Sequence, residues 1–382
     1  MTAETAATAS RSRHDLVARV AAALGSVQEA RWLVDHVEGV LPLAVPAEGG
    51  PPAGASPPAT SPGAASLAAT QAQRDLLAAL VARRQAGEPL QYVLGHWSFR
   101  SIELAVDRRV LIPRPETEQV VEQALAELRR VAGERSGRAS GAGRGPGADA
   151  TASPGVDATA SPGREVSGRG GPVVVDLGTG SGAIAFSVAV EAGPELPDLM
   201  VWATDLSDKA LGVARANREA LIGSDRPDDG GPAAKAGGAA DRAGAGPLPS
   251  GALRALRSLR FARGSWFDAL PASLRGGIAL VVANPPYVSS TDYVCLDPGV
   301  RDWEPELALV AGTGTGGVGG TAEIETIVRE APRWLVPGGT LVVEIDPAQA
   351  DGAIDLARRV GFGAVRTERD LAGRNRMLVA VR

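Results

Sequence analysis

A chain of 382 residues is long enough for two domains and at least one substantial hydrophobic core. With 44% apolar and 22% charged residues it has the balance of a soluble globular protein, and its 48 glycines and 28 prolines are concentrated in a few stretches of linker character. A net charge of -5 speaks against a dedicated nucleic-acid binder, the one cysteine, Cys295, excludes an internal disulfide, and no stretch reaches the roughly 20 apolar residues that span a bilayer.

The N-terminus lacks an apolar signal-peptide core, so a cytoplasmic protein is expected, with no membrane partner and no metal site. Leu16, Val17, Val20 and Leu24 recur at helical spacing. Ser26 and Glu29 form a capping-box pattern that opens a second helix through Ala30, Leu33, Val34 and Val37. Residues 45–66 are rich in Pro, Gly and Ala and hold too little apolar surface to fold, so they are expected to be a flexible insert. A third helix is predicted from about Thr70 to Arg84. Over 90–112 the period changes, and Trp97, Phe99, Ile102, Leu104, Val106 and Val110 predict short strands in a hairpin or small sheet. Pro113 and Pro115 interrupt the backbone, and a helix is predicted from Glu116 to Arg130.

Residues 134–171 are again low in complexity, with DATASPG at 149–155 and once more at 157–163, and 222–253 form a third such segment. The organisation predicted is a helical domain over 1–88, a β-hairpin connection over 89–114 and an α/β domain over 115–382 that carries the last two inserts. Within that domain a buried strand, a glycine turn and a helix are followed by a second strand and helix. Further strands are predicted at 257–263, 278–283 and 338–345, helices at 322–335 and 347–360, and two antiparallel strands around Gly373.

Three constellations carry chemistry. In the first, the strand VVV feeds Asp176-Leu-Gly178-Thr179-Gly180-Ser181-Gly182, where glycines let a ligand approach the backbone ahead of a helix N-terminus. The glycine spacing departs from the dinucleotide fingerprint, and an acid precedes the loop. That suits a ligand without phosphate, held partly by carboxylates. In the second, Asp205 ends the strand ATD, where an acid reaches the hydroxyls of a ribose, whether of a nicotinamide cofactor or of S-adenosylmethionine. A helix N-cap is the plainer use of Asp205, with Ser207 competing for it.

The third constellation is Asn284-Pro285-Pro286-Tyr287, directly after the apolar strand IALVVA. Two prolines cannot extend a central strand, and they stiffen the chain where the sheet delivers its functional loop. The amide oxygen of Asn284 and a backbone carbonyl of the Pro-Pro step can accept the two N–H bonds of a planar –NH2 group, with the Tyr287 ring packed over it. A methyl transfer from S-adenosylmethionine to an amide or amino nitrogen needs such a pocket, because orientation and acceptors compensate for a poor nucleophile. An adenine-N6 methyltransferase acting on nucleic acid would use the same motif, but with a basic groove.

The sequence closely resembles the bacterial release factor glutamine methyltransferases, the HemK/PrmC family. The resemblance rests on GEPLQYVLG at 87–95, LIPRPETE at 111–118, DLGTGSGAIA at 176–185, ATD at 203–205, GSWF at 264–267, NPPY at 284–287, WEPELAL at 303–309 and AGRNR at 372–376. It implies a class I S-adenosylmethionine-dependent methyltransferase fold, Rossmann-like, with a seven-stranded and mostly parallel sheet. It also implies that the N-terminal helical domain recognises the substrate and that the chain is a monomer. The implied reaction methylates the side-chain amide nitrogen of the glutamine in the Gly-Gly-Gln motif of class 1 peptide chain release factors. By resemblance, Gly178 to Gly182 (with Thr179, Gly180 and Ser181) hold the methionine part of the cofactor, Asp205 its ribose and Trp266 its adenine, and Asp176 ahead of the loop is expected to bind the cofactor too. Asn284 touches cofactor and glutamine, Pro285, Pro286 and Tyr287 complete the glutamine pocket, and Glu116 lies near it. The chain departs from the family at Asp346, where a glycine is usual and a shifted turn is therefore expected. Trp303 stands in place of phenylalanine, and AGTGTGGVGG at 311–320 is longer than the usual turn.

Overall fold

The computed structural model describes residues 3–40, 71–141, 170–223, 247–312 and 319–382. The insert expected at 45–66 and most of those at 134–171 and 222–253 lie outside them.

Ala3–Leu24 (α1), Val27–Val40 (α2) and Gln71–Gln85 (α3) pack as a helical unit around Val17, Val20, Leu33, Val34, Leu77 and Leu80. Ser26 Oγ accepts from the N–H of Glu29 at 3.2 Å. The Glu29 carboxylate turns instead to Arg84, accepting from Nε at 2.9 Å and Nη2 at 3.1 Å, and so ties α2 to α3. Residues 90–94 correct the strand expectation: Leu90–Leu94 is a one-turn helix (α4), preceded by Pro89 and closed by Gly95 at φ 80°. Its run of apolar side chains, nearly all buried, carries no period that tells helix from strand. His96–Phe99 (β1) and Ile102–Ala105 (β2) form the hairpin, with Phe99 opposite Ile102.

Pro115–Gly141 (α5) continues into the segment expected as a linker from 134 onward, because Glu134 still pairs with Arg130 one turn back. The strands Val173–Leu177 (β3) and Met200–Asp205 (β4) alternate with Ala183–Ala192 (α6) and Asp208–Gly223 (α7). Ser250–Ser258 (α8) takes the end of the third expected insert and the start of the expected strand at 257, burying Ala252, Leu253, Ala255 and Leu256 at helical spacing. Arg260–Arg263 (β5) and Ile278–Ala283 (β6) follow, then two short helices, Ser290–Tyr293 (α9) and Pro298–Arg301 (α10). Ala322–Glu330 (α11), Leu335–Glu344 (β7), Ala350–Arg359 (α12), Ala364–Arg369 (β8) and Asn375–Val381 (β9) complete the chain. The prolines at 332 and 347 shorten the helices expected at 322–335 and 347–360.

The seven strands are ordered β5-β4-β3-β6-β7-β9-β8, all parallel except β9, which runs antiparallel to both neighbours. Helices α5, α6 and α8 cover one face, and α11 and α12 the other. Strand order reverses between β3 and β6, the switch point where open α/β sheets bind ligands. The register aligns Leu177 with Thr204 and with Ala283, so the loops beginning at Gly178, Asp205 and Asn284 leave the sheet side by side. The hairpin is fixed to this frame by Asn217 of α7. Its amide brackets Ala105, accepting from the backbone N–H at 2.8 Å and donating to the carbonyl at 3.0 Å, and donates also to Ser181 O at 2.9 Å. Among the described residues no helix is long and apolar enough to cross a membrane.

Candidate active site

The glycine loop is folded by its own backbone. The N–H groups of Gly178 and Thr179 donate to Thr204 O at 2.9 and 2.8 Å, and Gly178, Gly180 and Gly182 stand at φ 75°, 56° and 92°, where side chains are strained. A Cβ on Gly178 would come within 3.4 Å of the Trp266 ring. Asp176 lies beneath the loop, fully buried. One carboxylate oxygen accepts from Thr179 Oγ1 at 2.7 Å and from the N–H of Ala185 at 3.1 Å, while the other has no partner among the described residues. Burial pushes its pKa up to about 7 against those two bonds, with Asp205 adding to the rise.

Asp205 accepts from the N–H of Gly180 at 2.9 Å with one oxygen and from the N–H of Ser207 at 2.8 Å with the other. Burial raises its pKa as well. The first turn of α7 is capped by Ser207, whose Oγ accepts from the N–H of Ala210 at 3.2 Å, so Asp205 is not needed as its cap. Trp266 adopts φ 44°, a conformation that costs a non-glycine residue on the order of 1 kcal/mol or more. Its indole donates to Glu323 Oε2 at 2.7 Å.

Asn284 donates from Nδ2 to Thr117 Oγ1 at 3.1 Å, and Thr117 in turn donates to Glu344 Oε2 at 2.7 Å. Glu344 is buried at the end of β7, which pushes its pKa up to about 7 although Thr117, Arg376 and Arg114 favour its charge. Gln349 buttresses the same loop, donating to Tyr287 O at 3.3 Å and Gly320 O at 2.9 Å and accepting from the N–H of Asp346 at 3.1 Å. Asp346 itself sits in an ordinary extended conformation. At φ -71° the position suits any residue, and the aspartate caps the following turn through the N–H of Ala348. Glu304 of the WEPELAL segment is buried and accepts from the N–H of Ile112 at 3.1 Å and from Arg114 at 2.5 Å, locking the segment that leads into α5. Trp303 beside it carries Arg108 3.8 Å above its ring.

Gly178, Thr179, Gly180, Ser181, Asp205, Trp266, Asn284 and Pro286 line one cavity of about 270 Å³. Asp176 and Gly182 do not: the first supports the loop from below, and the second faces the Phe186 ring. Pro285 is buried, and Tyr287 packs against the core beside α11 and α12, where burial and the nearby Glu344 raise its pKa to about 12. Glu116 stands outside, partly exposed, 3.5 Å from Arg374. Sequence reasoning missed Thr117, Glu323 and Glu344. A signal existed for Glu344, an acid closing an apolar strand just as Asp205 does.

A switch-point cavity with a glycine loop and a strand-end acid, on a seven-stranded sheet of this order, defines a class I S-adenosylmethionine-dependent methyltransferase. The lining fits that cofactor: Gly178 and Gly180 open the loop to close approach, Asp205 offers a carboxylate for ribose hydroxyls, and Trp266 gives a flat face for a base. Residues 66–95 match the PrmC N-terminal domain model. The chain is 35% identical over 312 residues to a release factor glutamine methyltransferase of Bifidobacterium longum, covering 82% of each. It is 34% identical over 313 residues to that of Gloeobacter violaceus, covering 81% of each. It is 35% identical over 298 residues to that of Bordetella pertussis, covering 78% of this chain and 79% of the relative. The chain belongs to the release factor glutamine methyltransferase family.

Proposed function

We propose that the cavity methylates the side-chain amide nitrogen of the glutamine in the Gly-Gly-Gln motif of class 1 peptide chain release factors. The observation that carries this reading is the Asn284 amide, which lines the cavity and donates one N–H to Thr117, an arrangement that suits its oxygen to accept from a substrate. Bound S-adenosylmethionine supplies an electrophilic methyl carbon on a sulfonium. The chain's part is to hold a planar amide at that carbon. Asn284 Oδ1 and a carbonyl of the Pro285–Pro286 step accept the two N–H bonds. That fixes the nitrogen in line and stabilises positive charge as it appears there. The proton released as the new N–C bond forms leaves to water.

Asp205 and the glycine loop bind the cofactor, and Trp266, held by Glu323, packs against the adenine. The helical unit of α1, α2 and α3 recognises the release factor, and the enzyme acts as a monomer in the cytoplasm. Transfer of labelled methyl to a purified class 1 release factor tests the reading, with the glutamine replaced as control. Label that persists after that replacement would overturn the substrate assignment.

A further inference from the structure

We propose that Thr117 and Glu344 are positioning residues that fix which end of the Asn284 amide faces the substrate. The inference rests on the reading that Asn284 accepts from a substrate amide. Thr117 Oγ1 lies 2.7 Å from Glu344 Oε2 and 3.1 Å from Asn284 Nδ2. A hydroxyl has one proton, and an ionised carboxylate can only accept. The Thr117 proton therefore goes to Glu344, and toward Asn284 the oxygen can only accept. Only the NH2 end of Asn284 satisfies that.

An amide turned by 180° fills nearly the same space with donor and acceptor exchanged. Were Asn284 turned, the cavity would present two N–H donors to the N–H bonds of the incoming amide. The relay removes that state without touching the reacting atoms itself. Its members come from α5, β7 and the loop after β6; Glu344 is 1% exposed, and Thr117, 4% exposed, borders the cavity wall beside Asn284, so the bond between them is shielded from bulk water.

The charged and titratable groups facing Glu344 are Arg376 of β9, Arg114 just ahead of α5, Glu116 of α5 and Tyr287 of the loop. The two arginines favour its charged form, and burial and Glu116 oppose it. Protonation puts a second proton between Glu344 and Thr117. The threonine hydroxyl is then free to turn toward Asn284, and the amide loses its bias. Turnover falls as Glu344 gains its proton.

The test compares Thr117→Val, which keeps the shape and removes the hydroxyl, with Thr117→Ser, which keeps the hydroxyl. Methyl transfer to a release factor is followed at saturating substrate, with S-adenosylhomocysteine affinity measured by calorimetry. The expected result is a kcat lowered roughly 10- to 100-fold in Thr117→Val, at little-changed KM and cofactor affinity, and restored to within a few-fold in Thr117→Ser. A Thr117→Val enzyme as fast as wild type, or a Thr117→Ser enzyme as slow as Thr117→Val, overturns the relay. Should Thr117→Val not fold, Glu344→Gln decides the matter by its pH profile. The acid limb of kcat in the wild-type protein should vanish in Glu344→Gln, and an unchanged limb overturns the relay. Wild-type protein that transfers no methyl to the release factor sinks the functional reading itself, whereas an active wild type matched by Thr117→Val sinks the relay alone.

Discussion

Asn284, in the loop after β6, donates to Thr117 at the start of α5 at 3.1 Å, a contact that spans 167 residues of sequence. The bond makes the two ends of one amide inequivalent, which is what the proposed acceptor role of Asn284 needs. It also joins the two most informative motifs, LIPRPETE and NPPY, through a pair of atoms rather than by proximity alone.

Asn284→Ala should lower kcat roughly 100-fold or more while leaving the fold intact, since the prolines still shape the loop. The loss should fall on turnover rather than on substrate capture, because the acceptor matters most as charge grows on nitrogen. Asn284→Asp should be nearly as poor. Its carboxylate would meet Thr117, whose single proton already serves Glu344 at 2.7 Å, so two carboxylates would compete for one hydroxyl. Methyl transfer from labelled S-adenosylmethionine, with circular dichroism of both variants, checks this. Full activity in Asn284→Ala would remove the mechanism.

Asp205→Ala should weaken S-adenosylhomocysteine binding more than it slows the bound reaction. Each charged hydrogen bond lost is worth about 1.5–3 kcal/mol, or roughly 10- to 100-fold in affinity. The carboxylate also holds Gly180 and Ser207 by their N–H groups, so the variant should lose stability without ligand as well. Calorimetry and thermal melts separate the two effects. Unchanged affinity would leave Asp205 with a purely structural task.

The parts of this site that were legible in the sequence are those whose meaning is local. Asp205 and Asn284 each close an apolar strand, and glycines crowd one turn. Thr117 and Glu344 gain their meaning only from each other, 227 residues apart, and Glu323 from Trp266. Asp176 was legible as special but not in direction. In a strand buried on both faces, alternation does not say which side a polar residue meets, and here it meets Thr179 and Ala185. The mostly parallel sheet follows from the alternating pattern, its strand order does not, and the ends of α5, α7 and α8 run into low-complexity sequence, where local composition and tertiary packing disagree.

Gly182→Ala and Gly180→Ala should differ sharply. At Gly182 the backbone is at φ 92° and a Cβ would lie 2.0 Å from the Phe186 ring, so a core side chain must move. Both carry the strain of a left-handed backbone, and at Gly182 we expect roughly 1–3 kcal/mol more from the clash, read as a lower Tm. At Gly180 no atom lies within 4 Å of a Cβ, so the fold should lose only that backbone strain of about 1–2 kcal/mol, while cofactor affinity drops because the methyl enters the cavity lining. Equal melting temperatures for the two variants would contradict this packing.

The final prediction concerns pH and Asp176. Burial raises its pKa to about 7 in the folded chain from 3.8, so between these values the folded protein holds a proton that the unfolded chain has released. Stability therefore falls as pH rises through that window. Glu344, also raised to about 7, acts in the same direction. His36 acts in the opposite one: burial and His96 lower its pKa below 6.5, so the unfolded chain binds the extra proton there and stability is lost as pH falls. A single melting profile mixes these terms, but a comparison of wild type with Asp176→Asn cancels those shared by both. The asparagine mimics the protonated acid at every pH. Any constant penalty from its unpartnered NH2, placed where the aspartate has an unpartnered oxygen, shifts both ends of the comparison equally. Relative to wild type, Asp176→Asn should be more stable at pH 8 than at pH 5 by about 1 kcal/mol or more, a few degrees in Tm. Melts of the ligand-free proteins at the two pH values measure this difference. A difference that does not change with pH would mean that Asp176 titrates as an ordinary exposed carboxylate, and that its place beneath the glycine loop does not hold a proton near neutrality.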